Sequence, residues 1–507
     1  MYASKARPDF VVSWQSLTSL TNEHKAGIST ALPSGYVVPR ESERNAFVAL
    51  VESQPFTLVF GESGSGKSAL VKRSLDDQAV HQVWLGPDQI MAATSELERS
   101  KLQLAYPLDK ILAATPAASN VLVIDAAEKL SGEALVRLRL LLEKLVPLGA
   151  EQTENAWKVV IITQADGWGD RAVALLGQRT VTPLAVGLLE ADEVHDALLS
   201  TTNLRWLASD TQSVSALRNL KMLGWATQAE VAPKLTQADM TSPPAMADRI
   251  WDYWTSGRAD AQRLLMTLSE REANFERSFP LTELETGDAA ALTLASAQLP
   301  LRLNTRNNLV FEHDLAADWS RFQWLKQVAD DTERWASLAQ NPLWSSALRL
   351  LGQFLLREPS VTATAWDVAL AAAEARGDKS TTDILLDALC LDPEANQLLN
   401  ERADVLFAND GALLDRLLRR FLHTATVPRF PTGAFKVDAS LGLYLEASLR
   451  NPIIGRWPAM ARFLYGRRAN IEKLASPVVS KVCETWLVTT PPNLRDGVAM
   501  PFRKEFA

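Results

Sequence analysis

The 507-residue chain is poor in cysteine, histidine and net positive charge, and each shortage closes off a class of function. Its two cysteines, Cys390 and Cys483, lie far apart. Two distant thiols build no disulfide framework and fit a reducing compartment, and without a C-x-x-C pair no zinc ribbon forms. The formal charge of −8 disfavours binding by phosphate neutralisation and so argues against a nucleic-acid partner. No apolar run approaches the ~18 residues that span a bilayer. The opening, Met1 to Asp9, lacks the apolar centre of a signal peptide. A cytoplasmic location with no membrane partner is the expectation.

What is present is globular: 47% hydrophobic and 22% charged residues. The length exceeds one ordinary core, so about three or four domains are expected. Nine of the fifteen tryptophans fall between Trp206 and Trp366. In an acidic chain this reads as aromatic packing between helices, since a base-stacking platform needs accompanying positive charge.

The strongest local signal is Gly61-Glu62-Ser63-Gly64-Ser65-Gly66-Lys67-Ser68, which fits G-x-x-x-x-G-K-[ST] without mismatch. It follows the apolar run Phe56–Phe60 and precedes a helical run from Ser68 through Ala69 to Arg73. Strand, glycine loop and helix start form the context in which backbone N–H groups surround phosphate oxygens. In that context Lys67 reaches the β- and γ-phosphates, and the Ser68 hydroxyl ligates Mg²⁺.

Around this loop, residues 36–187 alternate strand-like and helix-like runs. Strands are predicted at Phe56–Phe60, Gln82–Leu85, Val121–Ile124, Val159–Thr163 and Arg179–Leu184, with a helix at Leu130–Leu145. The pattern predicts an α/β fold, a parallel sheet with helices on both faces. Residues 1–35 read as a short polar segment with one helix near Ser13–Lys25. Residues 188–240 read as a small helical domain, with helices at Glu190–Ser200 and Ser213–Ala229. Residues 241–330 read as a further compact unit with a hairpin, Leu301–Leu303 and Leu309–Phe311. Residues 331–507 read as helical throughout, with helices at Ser346–Leu356, Ala363–Ala375, Thr381–Leu389 and Gly411–Phe421, suggesting a solenoid without a clean repeat. The last run, Pro501–Ala507, reads as the start of another helix and suggests a longer protein.

Two further motifs follow. Val121–Ile124 is continuously apolar and ends in Asp125, with Glu128 three positions on. An acid at the end of a buried strand suits Mg²⁺ beside Ser68, and Glu128 is placed to activate an attacking water. The next buried strand ends at Thr163-Gln164, candidates for sensing a γ-phosphate. Later, Asn308-Leu309-Val310-Phe311-Glu312-His313-Asp314-Leu315 runs from strand into helix, and on residues alone its histidine reads as structural.

Together these elements resemble the STAND-class signalling NTPases (NACHT and NB-ARC modules), in particular the bacterial antiviral members. The order matches: Tyr36-Val37-Val38-Pro39-Arg40-Glu41, the glycine loop, Asp125 with Glu128, the strand to Gln164, a small helical domain, and a winged-helix unit ending in Glu312-His313-Asp314-Leu315. The resemblance implies ATP or ADP with Mg²⁺ as ligands, Val38 and Arg40 as nucleotide contacts, and His313 on the β-phosphate of ADP. It implies slow ATP hydrolysis, with Lys67 and Glu128 catalytic, coupled to oligomerisation into a homo-oligomer once a protein trigger binds the helical array. It also implies a role in antiphage defence. This chain departs from the family pattern in carrying Glu128-Lys129 after Asp125 where two acids are usual, and Gln164 where arginine is frequent. Leu217-Arg218-Asn219-Leu220-Lys221 lacks the family's proline. Two other readings stay open: a transcriptional regulator using the winged helix, and a non-hydrolysing helical scaffold with a relic nucleotide site.

Overall fold

A computed structural model describes residues 10–114, 119–146, 157–164, 175–176, 181–274, 276, 278–295, 298–304, 307–359, 364–428, 450–453, 456–474 and 476–489. These fall into two compact units, divided between Gly187 and Leu188.

The first unit is built on α1 (Val11–Ala26), α2 (Glu41–Ser53), β1 (Phe56–Gly61), α3 (Lys67–Asp76), β2 (His81–Leu85), α4 (Pro87–Thr94), α5 (Leu108–Ala113), β3 (Asn120–Ile124), α6 (Gly132–Leu145), β4 (Trp157–Gln164) and β5 (Thr182–Ala185). The strands form one sheet in the order β2-β3-β4-β1-β5, and every pairing is parallel. The expected α/β sheet with helices on both faces is therefore present. Its physical basis is the continuous apolar character of the strands, which buries both faces. Successive residues alternate between two cores: Leu58, Leu122 and Ile161 pack with α4, α5 and α6, while Val59, Val123 and Ile162 pack with α2 and α3. The helix expected at Leu130–Leu145 starts two residues later because Ser131 caps it, accepting from Ala134 N. Of the strand expected at Arg179–Leu184, Arg179 and Thr180 lie outside the described residues.

The segment read as residues 1–35 contains α1, which packs into this unit. Leu17 enters the core on the α6 side. β2 is an edge strand, and Thr21 Oγ1 accepts the Trp84 N–H at 3.1 Å, satisfying a backbone group the sheet leaves unpaired.

The second unit is mostly helical. The helix expected over Ser213–Ala229 is two helices, Thr211–Ala216 and Leu220–Ala226. The break has a local cause: the Asn219 side chain accepts from the N–H groups of Lys221 and Met222 and starts a new helix. Helices Pro243–Thr255 and Ala259–Ala273 precede a three-stranded antiparallel sheet, in the order β6 (Phe279–Pro280), β8 (Asn308–Phe311), β7 (Leu301–Leu303). β7 and β8 are the expected hairpin, and Thr305 and Arg306 of its turn lie outside the described residues. Helix Asp314–Gln327 follows. Trp225, Trp254 and Trp319 pack ring on ring, with centroids 4.7–5.9 Å apart, as their crowding in the sequence predicted.

Beyond residue 331 the unit continues as paired helices, including Ser345–Leu355, Ala365–Arg376, Lys379–Cys390 and the stretch Ala403–Thr424, which breaks into two helices at Ala408–Gly411, where the backbone leaves the helical region. The expectation of helix throughout this region is corrected at one place, where β9 (Thr426–Pro428) and β10 (Arg450–Pro452) pair antiparallel. Proline in both strands keeps them short. Met1–Asp9, Ala363 and Pro501–Ala507 lie outside the described residues.

Candidate nucleotide-binding site

The glycine loop leaves β1 and turns into α3. Gly64 (φ +77°) and Gly66 (φ +92°) occupy left-handed conformations that side chains resist. Gly61 is constrained from outside: a Cβ there would lie 2.2 Å from the Val186 carbonyl oxygen. Gly66 caps α3 without a side-chain acceptor, so the first N–H groups of the helix face the loop interior as an anion site. Lys67 is buried, and its Nζ donates to the carbonyls of Gly61 (3.1 Å) and Glu62 (2.7 Å), which folds the ammonium over the loop. Ser65 is buried and its N–H donates to the Glu62 carbonyl, while Ser63 and Ala69 are half-buried beside it.

Asp125 ends at the same edge of the sheet. Its Oδ1 accepts from Ser68 Oγ and from Ala126 N, each at 2.9 Å. Its Oδ2 accepts from Nε2 of His24 at 3.0 Å. An ionised carboxylate only accepts, so that imidazole nitrogen carries the proton. Burial pushes the Asp125 carboxyl up, but the hydrogen bond and charge of His24, the Ser68 hydroxyl and the Lys67 ammonium outweigh it and hold the group below its ordinary range.

After Asp125 the chain passes through Ala126 in a left-handed conformation (φ +53°). A non-glycine residue held there costs on the order of 1–3 kcal/mol, and such strain gathers at functional sites. It turns the chain into the short helical turn Ala127–Lys129, which returns Glu128 toward β4. Glu128 Oε2 accepts the Gln164 N–H at 3.1 Å. The convergence follows from strand order: β4 lies between β1 and β3, with Gly61 in register with Gln164 and Ile124 with Ile161. The carboxyl ends of three parallel strands then share one crevice, the usual ligand position in such sheets. Thr163, the other sensor candidate, is buried beneath Gln164.

Val38 and Arg40 lie in the segment leading to α2. The Val38 carbonyl accepts from Arg73 Nη1 (3.1 Å), which ties the segment to α3. Arg40 is buried, caps α2 at φ +49°, and donates from Nη1 to the Gly187 carbonyl at 2.9 Å.

His313 lies in the second unit. It caps helix Asp314–Gln327, its Nδ1 accepting from Leu315 N at 3.1 Å, so the ring proton sits on Nε2. Its ring meets Trp225 edge-on, 6.3 Å between centroids. Lys221 lies over the same Trp225 ring at 5.3 Å. Burial pushes the Lys221 ammonium down against the opposing charge of Glu312, and burial pushes the Glu312 carboxyl up. Sequence reasoning missed His24 as a candidate. It belongs to no motif and carried only the signal of a basic residue in the last turn of a helix.

The residues fit a divalent cation of the Mg²⁺ type. Ser68 Oγ and Asp125 Oδ1 are hard oxygen donors in contact with each other. Among the described residues no group of three or more His, Cys, Asp or Glu is placed to hold a metal, so phosphate oxygens and water would complete the shell. Among the described residues no helix is long and apolar enough to cross a membrane.

The glycine loop, the strand order and the Ser68–Asp125 pair define a P-loop nucleotide-binding fold. No family model matches the chain. No curated protein matches it either. Among solved structures the chain is similar to a signal transduction ATPase with numerous domains, carrying a tetratricopeptide-repeat sensor, from Pyrococcus horikoshii: 12% identity, 88% of this chain and 66% of that one, TM-score 0.33. It is also similar to a Walker-type ATPase of Pyrococcus abyssi (14% identity, 56% and 96%, TM-score 0.28). A DNA replication initiation factor is a third (13% identity, 72% and 94%, TM-score 0.30). Identity and TM-score are low in all three, and the reading of the site rests on its own geometry.

Proposed function

We propose that this chain is an ATP-binding signalling switch of the STAND class, an ATPase of low turnover whose nucleotide state controls assembly. The observation that carries the reading is the Ser68–Asp125 contact beside Lys67 and the positive-φ glycines, with Glu128 held at the end of β4. In this reading the N–H groups of the loop and of α3 bind the α- and β-phosphates, and Lys67 moves from the loop carbonyls to the β- and γ-phosphates. Ser68 and Asp125 hold Mg²⁺, which when bound neutralises charge on the phosphate oxygens. Glu128 accepts a proton from the attacking water. Gln164 reads the γ-phosphate from the end of β4, Val38 and Arg40 border the nucleotide, and His313 offers its Nε2–H to a diphosphate in the resting form.

A protein trigger bound by the helical region, homo-oligomerisation on activation, a cytoplasmic site of action and a part in antiphage defence complete the proposal, supported by the motif order and the helical second unit. The alternative of a DNA-reading winged helix is disfavoured by helix Asp314–Gln327. Its Arg321 is buried and committed to Asp318 and Glu272, leaving it unsuited to phosphate or base contact.

The deciding experiment is to denature freshly purified protein and identify the released nucleotide. Near-stoichiometric ADP is expected. An empty site that also fails to bind ATP or ADP up to roughly 1 mM, the top of the usual range for enzyme substrates, would overturn the reading.

A further inference from the structure

The contact between His24 and Asp125 joins the sheet's central carboxylate to a helix that the βα alternation does not include. α1 is fixed there along its length. Ser13 Oγ accepts from Ala105 N (3.2 Å), and Thr21 accepts from Trp84 N on the edge of β2. Its last turn is held most firmly. Lys72, on the helix that follows the glycine loop, donates from Nζ to the carbonyls of Lys25 (2.9 Å) and Ile28 (2.7 Å). Lys25 reaches Asp76 on α3 and Gln82 on β2. A cation on the exposed carbonyls of a helix C-terminus is a favourable pairing. The backbone of His24 therefore moves with α3 and β2.

The imidazole itself sits in a fitted space. A Cβ at residue 86 would lie 3.1 Å from His24 Cε1 and 3.2 Å from Nδ1, so glycine between β2 and α4 leaves room for the ring. On its other side the ring lies 6.1 Å from Trp84, tilted by 32°. With the ring held, Nε2 fixes Oδ2 of Asp125 at 3.0 Å. That sets the carboxylate plane and presents Oδ1 to Ser68. Without a partner on Oδ2 the carboxylate could rotate, and the two oxygen donors would lose their fixed spacing.

We propose that His24 is a positioning residue for the divalent-cation site, acting through Asp125, and that α1 is an integral part of that site. The proposal rests on the nucleotide-binding reading above. Partners behind metal-ligating groups typically contribute ten- to a hundredfold to metal affinity.

The test uses the full chain with a fluorescent ADP analogue, measuring affinity in EDTA and the Mg²⁺ concentration that half-maximally tightens binding. His24→Phe keeps a ring and removes the donor. His24→Gln places an N–H near the position of Nε2. The expected result is a Mg²⁺ midpoint raised roughly tenfold or more in His24→Phe, with EDTA affinity unchanged, and restored to within about twofold in His24→Gln. Four outcomes overturn the proposal. An unchanged midpoint in His24→Phe removes His24 from the site, and a lowered one makes it a competitor of the cation. Loss of EDTA affinity in both variants, with a lowered melting temperature, makes the role one of folding alone. If the unsubstituted protein binds no ADP analogue, the nucleotide reading itself fails and the proposal falls with it.

Discussion

The Glu128 carboxylate accepts the backbone N–H of Gln164 at 3.1 Å, joining the turn after β3 to the end of β4. The bond sets the acid beside Gln164 at the end of β4 and restrains the carboxylate. A side chain held this way has the fixed geometry a general base needs before substrate arrives.

Glu128→Gln preserves the hydrogen bond to Gln164 through the amide oxygen and removes the carboxylate proposed as the base. ATP binding with Mg²⁺ is expected to stay within about threefold, while single-turnover hydrolysis falls by roughly 10²–10⁴. Equal hydrolysis by the variant would assign the base elsewhere.

Lys67→Ala removes the ammonium that now donates to the Gly61 and Glu62 carbonyls. Two charge-assisted hydrogen bonds to phosphate are each worth about 1.5–3 kcal/mol, so ATP affinity is expected to drop by about a hundredfold or more. Calorimetric titration of both proteins checks this, and a small change would place the phosphates outside the loop.

Gly61→Ala forces a Cβ against the Val186 carbonyl. Backbone cannot yield as a flexible side chain can, so a loss of about 1–3 kcal/mol and a lower melting temperature are expected. Gly132→Ala is the control, since a Cβ there meets nothing within 4 Å at the start of α6. Thermal unfolding of the two variants should separate them clearly.

Asp125 gives a pH dependence with a definite sign. Its folded value lies below the ordinary one, so its stabilising contribution is complete above the unfolded value of about 3.9 and disappears as pH falls through the lower folded value. In Mg²⁺-free buffer the stability difference between the native chain and Asp125→Asn is therefore expected to shrink on acidification below about pH 4. A difference that stays constant down to the acid transition would contradict the assigned contacts.

Cys390 is buried between helices of the second unit. Burial pushes its thiol well up, with the Asp387 charge adding and Arg420 opposing. It is expected to resist a thiol reagent at pH 8 until the unit unfolds, since the reactive species is the thiolate. Rapid labelling of the folded protein at this residue would show that its helices open readily.

The glycine loop, Asp125 and the parallel sheet were legible because each depends on short-range chemistry. Glycine at positive φ, an apolar strand ending in an acid, and a helix start after Lys67 leave marks in neighbouring residues. The caps at Asn219 and Ser131 shifted helix boundaries because one side-chain oxygen competes locally with continued helix. The pairing of β9 with β10 joins segments more than twenty residues apart in sequence, which no local period reports.

Residue identity and spacing by themselves determined the phosphate loop and the acid that answers it. Only the tertiary structure decided that β4 stands between β1 and β3, bringing Gln164 to Glu128, and that α1 delivers His24 to Asp125 across a hundred residues of chain. The reason is that strand order and edge packing are set by how whole faces bury one another, and a single histidine at the end of a polar helix carries no mark of the face it will meet.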